Sequence, residues 1–147
     1  MIRAVLDTNV LVSALISKKS TAPPKIYKAF ATQQFLLITS LSIIEEFEDV
    51  INRKNLIKYH KLSLVQRKGI IEELVRLSYV TFGTLETAQI IIEKDPKDDK
   101  FIHAAIEGTA DYIVSGDHHL LNLKTYNEIE ILSPNNFLRV LEKQIKE

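Results

Sequence analysis

Residues 2–9 read Ile2-Arg3-Ala4-Val5-Leu6-Asp7-Thr8-Asn9, and they carry the clearest structural signal in the chain. The apolar run before Asp7 is typical of a strand that is buried on both faces. Three small polar residues follow at once, and the apolar pattern then resumes at helical spacing, so we predict that Thr8 or Asn9 caps a helix. Asp7 is therefore expected at the carboxyl end of a central strand, where open α/β sheets place their ligand sites.

Apolar runs alternate with amphipathic segments along the rest of the chain. The predicted strands cover residues 2–6, 35–38, 79–82, 112–114 and 129–132, and helical periodicity fills the intervals between them. Strands that alternate with helices favour parallel pairing through right-handed crossovers. We predict one α/β domain over residues 1–147, with five parallel strands.

The composition limits the class of protein. The chain has 147 residues, of which 46% are apolar, which indicates a globular protein with a sizeable core. No apolar stretch approaches the roughly 20 residues of a membrane span, and the start of the sequence does not resemble a signal peptide. The absence of cysteine fits a reducing compartment and excludes thiolate metal sites. We therefore expect a cytoplasmic protein without membrane contact.

The charges are balanced overall but unevenly distributed. Residues 1–82 contain 12 Lys and Arg against 7 Asp and Glu, and residues 83–147 contain 7 against 12. Residues 51–68 carry no acid and six bases, namely Arg53, Lys54, Lys58, Lys61, Arg67 and Lys68. This run is suited to a polyanion such as RNA, and a solvated helical arm is the alternative interpretation.

Further carboxylates follow other predicted strands. Asp117 comes directly after a buried strand and the small residues Ser115-Gly116. Glu45 and Glu46 occupy the first turns of the helix after the second strand, and Glu46 lies nearer the apolar face of that helix. Asp98 and Asp99 occupy the first turn of a helix that the pair Asp95-Pro96 begins.

Parallel strands end at one edge of the sheet, so up to four of these carboxylates are expected to converge there. Clustered carboxylates repel one another and have raised pKa values unless a cation joins them. Oxygen ligands of this kind suit Mg²⁺ or Mn²⁺, which activates water and stabilises the oxygens of a phosphodiester during hydrolysis. A single aspartate after a strand is weak support, because caps and turns use aspartate freely.

Taken together, these motifs resemble the PIN (PilT N-terminus) domain. They are Leu6-Asp7-Thr8-Asn9-Val10, a glutamate after the second strand, Asp95-Pro96-Lys97-Asp98-Asp99, and Ala110-Asp111-Tyr112-Ile113-Val114-Ser115-Gly116-Asp117. The pattern is most similar to the toxin-component branch related to VapC toxins, and it spans nearly the whole chain. The resemblance implies a three-layer α/β/α fold with strand order 3-2-1-4-5.

The resemblance also implies a metal-dependent endoribonuclease. The family's four acidic positions match Asp7, Glu46, Asp99 and Asp117, with Asp98 as the alternative to Asp99. We expect these four to hold Mg²⁺ or Mn²⁺, and Asn9 and Ser115 to hydrogen-bond ligand oxygens or water. The implied partners are an RNA substrate, an antitoxin protein and a second copy of the chain in a homodimer. The apolar helix faces near residues 10–16 and 43–51 belong either to such an interface or to the core.

Two other functions compete with this interpretation. An aspartate phosphotransfer domain would use Asp7 as a nucleophile, but Asn9 stands where such phosphatases usually carry a second aspartate. A non-catalytic module that binds RNA or protein would have no reason to keep mutually repelling acids. Of the histidines, we expect His118 and His119 to be exposed turn residues, His103 to lie at the edge of its helix, and His60 to belong to the basic run.

Overall fold

The computed structural model of the chain describes residues 1–87 and 99–146. Its strands are β1 (Arg3–Leu6), β2 (Leu36–Ser40), β3 (Tyr79–Thr81), β4 (Tyr112–Val114), β5 (Thr125–Tyr126) and β6 (Ile129–Leu132). Its helices are α1 (Thr8–Ile16), α2 (Ala22–Ala31), α3 (Leu41–Ile51), α4 (Lys54–His60), α5 (Leu64–Leu77), α6 (Thr84–Thr87), α7 (Asp99–Glu107), α8 (His118–Leu121) and α9 (Pro134–Lys146). The predicted helix start at Asp95-Pro96 and the alternative carboxylate Asp98 lie outside the described residues.

The strands form one sheet in the order β3-β2-β1-β4-β6-β5. The first five of these are parallel, and Val5 in the central strand pairs with Ile38 of β2 on one side and Ile113 of β4 on the other. The predicted α/β fold with five parallel strands is therefore confirmed, and so is the strand order that the resemblance implied. The edge at which these five strands end is called the carboxyl edge below.

The sixth strand, β5, was not predicted from the sequence; it pairs antiparallel with β6 as a hairpin. The two turn residues, Asn127 and Glu128, have φ values of 48° and 68°. Positive φ at both central positions is typical of a type I′ turn, whose usual sequence is Asn-Gly or Asp-Gly. Because glutamate occupies the place of that glycine, the turn gives no recognisable signal in the sequence.

Helices cover both faces of the sheet. Ala4 and Leu6 of β1 point to a core shared with α1, α2, α3, α5 and α9, whereas Val5 points to a core shared with α7. This alternation produces the three layers, because successive side chains of a strand point to opposite faces.

The apolar helix faces that we considered as interface candidates belong mainly to these cores. Val10 is 4% exposed and Phe47 is fully buried. Ile16 is the exception, with 42% of its surface exposed, and Leu41, just before the second range, is 62% exposed. The structure therefore favours the core interpretation for residues 10–16 and 43–51.

No helix within residues 1–87 and 99–146 is long and apolar enough to cross a membrane.

Candidate active site at the carboxyl edge

Asp7 lies at the carboxyl edge immediately after β1, as predicted. It is 3% exposed, and its carboxylate accepts a hydrogen bond from the Val10 amide at 2.8 Å. The prediction that Thr8 or Asn9 caps α1 is wrong, because Asp7 itself is the N-cap and Thr8 is the first helical residue. The chain stays extended through Asp7, which places the carboxylate over the free amides of the first turn. Asn9 is exposed in that turn.

Ser115 joins Asp7 to Asp117. Its side chain is fully buried, its hydroxyl donates to Asp7 Oδ2, and its Oγ accepts the Asp117 amide at 2.9 Å. The Asp117 carboxylate in turn accepts the His119 amide at 2.7 Å and caps α8. One buried hydroxyl therefore connects the acids that follow β1 and β4.

Glu46 approaches the same edge from α3, whose N-terminus Ser40 caps by accepting the Ile43 amide at 3.3 Å. Its carboxylate forms an ion pair with the ammonium of Lys100 on α7. Glu45 is exposed on α3, so Glu46 is the residue that faces α7. The role of Lys100 was not predicted, because a pair 54 residues apart in the sequence has no local signature.

Asp99 is the first residue of α7 and is 6% exposed. Because α7 precedes the parallel strand β4 and packs on β1 and β2, its N-terminus lies at the carboxyl edge. The four predicted carboxylates thus all arrive at the same edge of the sheet.

The electrostatics of Asp7 show that these groups interact. Burial raises the pKa of Asp7, and the negative charges of Asp117 and Glu46 raise it further. The hydrogen bonds from Ser115 and Val10 lower the pKa but do not cancel the burial effect. Without a cation, the ionised form of Asp7 is therefore less stable in the protein than in water.

The donor chemistry fits a hard divalent cation, although the side chains do not form a closed cage. Within the two described ranges, no three His, Asp or Glu side chains are placed so that they hold one ion together. Asp7 Oδ1 accepts one hydrogen bond from Val10 and Oδ2 accepts one from Ser115, so each oxygen keeps a lone pair for an ion. All the ligands offered are carboxylates, which Mg²⁺ and Mn²⁺ prefer. Glu46 joins such a set only by leaving Lys100.

The histidines correct part of the sequence interpretation. His118 and His119 are exposed on α8, as predicted. His103 is not at a helix edge but is 3% exposed, and neither ring nitrogen has a hydrogen-bond partner in the described part of the chain. His60 does not contribute to a basic surface, because it is buried between the Ile51 carbonyl at 2.8 Å and the Leu62 amide at 2.9 Å.

The basic run of residues 51–68 forms α4 and the start of α5. Lys54, Lys58, Lys61 and Lys68 are exposed there. Arg53 pairs with Asp49 at 2.8 Å, and Arg67 donates to the Leu62 carbonyl at 2.6 Å. The lysines rather than the arginines are therefore free to meet a polyanion.

A cleft of about 520 Å³ lies at the opposite end of the sheet. Its lining includes Ile2, Asp111, Tyr112, Glu128 and Glu130, and none of the predicted site residues.

Comparisons with known proteins agree with this architecture. A family model described as the PIN domain matches residues 3–119. The chain is 30% identical over 152 residues to the uncharacterized protein MJ1680 of Methanocaldococcus jannaschii. That alignment covers 98% of this chain and 94% of MJ1680. The structure of the present chain resembles one chain in the crystal structure of VapBC2 from Rickettsia felis. That crystal structure contains VapBC2 bound to a DNA fragment from the VapBC2 promoter. The TM-score is 0.52 at 15% identity, over 90% of this chain and 98% of the other. The resemblance that the motifs suggested is confirmed at the level of family and fold.

Proposed function

The chain belongs to the PIN domain family, and from that premise and the carboxylates at its sheet edge we propose that it is a metal-dependent endoribonuclease. In this proposal Mg²⁺ or Mn²⁺ is held by the carboxylates of Asp7, Glu46, Asp99 and Asp117. Asn9 and Ser115 hydrogen-bond ligand oxygens or metal-bound water. The observation that carries the proposal is the buried Asp7 carboxylate, which Ser115 links to Asp117 where two parallel strands end. When bound, the cation activates water and neutralises charge on the phosphodiester.

The alternatives to a cation explain the arrangement less well. A purely structural cap needs one carboxylate at a helix N-terminus, and it does not need further acids that raise its pKa. Glu46 pairs with Lys100 and reaches a cation only by leaving that lysine, whereas Asp7 and Asp117 are joined directly through Ser115. A divalent ion supplies the positive charge that this pair requires.

RNA is the substrate that the surface favours. The exposed lysines Lys54 and Lys58 lie on α4, Lys61 follows that helix directly, and Lys68 lies on α5. Both helices pack beside α3, the helix that carries Glu46. These lysines attract a phosphate backbone without reading its sequence.

We also propose that the protein acts in the cytoplasm as the toxin of a toxin–antitoxin pair. The support is its structural likeness to a chain of a VapBC complex. Its partners are then an antitoxin protein and a second copy of the chain in a homodimer. Size-exclusion chromatography with light scattering tests the homodimer, and a monomer at micromolar concentration would contradict it.

A cleavage assay tests the enzymatic proposal. Single-stranded and structured RNA are incubated with the purified protein in Mg²⁺, Mn²⁺ or EDTA. We expect internal cleavage that requires the metal and is lost in Asp7→Asn and Asp117→Asn. Asp49→Asn is the matched control, because Asp49 is an exposed aspartate on the far part of α3. Cleavage by the Asp7 and Asp117 variants at the wild-type rate would overturn the assignment, and a phosphoryl group trapped on Asp7 would support phosphotransfer instead.

A further inference from the structure

Phe82 is an aromatic ring held in solvent at the carboxyl edge. It follows β3 directly and is 95% exposed. The chain has six phenylalanines, all within the described ranges, and the other five are buried. An exposed ring of this kind contributes nothing to the core, so its position calls for another explanation.

The backbone after Phe82 is firmly held. Glu107 of α7 accepts the Gly83 amide at 3.0 Å and the Leu85 amide at 2.5 Å. Gly83 has a φ of 74°, a conformation that glycine adopts without strain. The turn therefore fixes the direction in which the chain leaves β3, and with it the exposure of Phe82.

The sheet register places Phe82 beside the candidate active site. Thr81 pairs with Ser40, so Phe82 and the exposed Leu41 follow neighbouring strand ends. β2 separates β3 from β1, so β3, which Phe82 follows, lies about 10 Å from β1, which Asp7 follows, at ~4.8 Å per strand spacing. That separation corresponds to a few stacked nucleotides at ~3.4 Å each.

We propose that Phe82 is a stacking platform for a base of single-stranded RNA that flanks the scissile phosphate. The inference rests on the proposed ribonuclease function and names the part of the substrate that binds at that site. A base needs only one ring face, and stacking on an aromatic side chain tolerates any sequence. A stable protein partner instead needs about 800 Å² on each side, far more than Phe82 and Leu41 provide.

The test compares wild type with Phe82→Ala and Phe82→Trp. Tyr79→Ala is the matched control, because Tyr79 is a partly exposed aromatic at the other end of β3. Cleavage of a short single-stranded RNA in Mn²⁺ gives KM and kcat, and the fluorescence of a 2-aminopurine-labelled RNA in EDTA reports stacking without cleavage. Since Phe82 is exposed, its variants are expected to unfold at the wild-type temperature.

We expect Phe82→Ala to raise KM about tenfold at unchanged kcat and to lose the quenching of 2-aminopurine. Phe82→Trp should keep both properties, and Tyr79→Ala should behave as wild type. Cleavage and quenching that do not depend on Phe82 would overturn the stacking platform and leave the nuclease standing. Quenching that depends on Phe82 in a protein that cleaves nothing would overturn the nuclease alone. RNA binding unchanged in Phe82→Ala, together with a changed oligomeric state, would assign Phe82 to a protein interface and overturn the proposal.

Discussion

Ser115→Ala is the substitution whose cost follows most directly from the structure. The buried hydroxyl makes two hydrogen bonds, one to the Asp7 carboxylate and one from the Asp117 amide. A hydrogen bond to a charged group contributes about 1.5–3 kcal/mol and a neutral one about 0.5–1.5 kcal/mol. We therefore expect Ser115→Ala to lower the free energy of unfolding by about 2–4 kcal/mol. For a chain of this size, the expected fall in Tm is about 4–16 °C, at about 2–4 °C per kcal/mol.

The assay is urea unfolding in EDTA at neutral pH, with wild type, both single variants and the double variant Asp7→Asn with Ser115→Ala. Because the bond to Asp7 carries most of the effect, Ser115→Ala should cost less in the Asp7→Asn background. Ser133→Ala is the control, since Ser133 makes a single capping bond to the Asn136 amide at 3.2 Å far from Asp7. Its cost should be additive with Asp7→Asn. A cost for Ser115→Ala below about 1 kcal/mol that is also additive with Asp7→Asn would refute the reasoning.

Three further predictions concern charge, competition and packing. Burial and neighbouring charges raise the pKa of Asp7 in the folded protein above 3.8, its value in the unfolded chain. The metal-free protein therefore loses stability as the pH rises from 3.8 through the pKa of Asp7 in the folded state. Asp7→Asn should therefore be more stable than wild type in EDTA at neutral pH, and urea unfolding at several pH values should show the difference closing on acidification. Lys100→Gln removes the lysine that competes with a cation for Glu46. Calorimetry should then show the affinity for Mn²⁺ rising by up to about fivefold. An unchanged affinity would show that Lys100 does not compete with Mn²⁺ for Glu46. Gly108→Ala would place a Cβ 2.3 Å from Ile38 Cγ2 in the core. Thermal unfolding should therefore show a free energy of unfolding lower by about 1–3 kcal/mol. Stability equal to that of wild type would show that Ile38 moves aside without cost.

The sequence predicted the features that local patterns determine. Asp7 and Asp117 each follow an apolar run and precede a helical pattern, so their placement at strand ends needed only short-range information. The parallel sheet followed from the alternation of strands and helices. The cap of α1 was missed by one residue, because Asp7, Thr8 and Asn9 are all suitable capping residues.

The features that the sequence did not predict depend on packing between distant segments. The pair of Glu46 and Lys100 forms only because α3 and α7 meet at the carboxyl edge. The burial of His60 and His103 likewise follows from the tertiary packing of α4 against α1 and α3 and of α7 against the sheet, which the charge pattern does not reveal. The hairpin of β5 and β6 has a turn in which Glu128 replaces the usual glycine, so tertiary pairing rather than local preference stabilises it.

Calorimetric titration of the purified protein with Mn²⁺ tests the role of the carboxylates most directly. We predict a saturable site in wild type and in Asp49→Asn, and its loss in both Asp7→Asn and Asp117→Asn. Equal Mn²⁺ binding by all four proteins, or by none of them, would contradict a cation held jointly by the acids at the ends of β1 and β4.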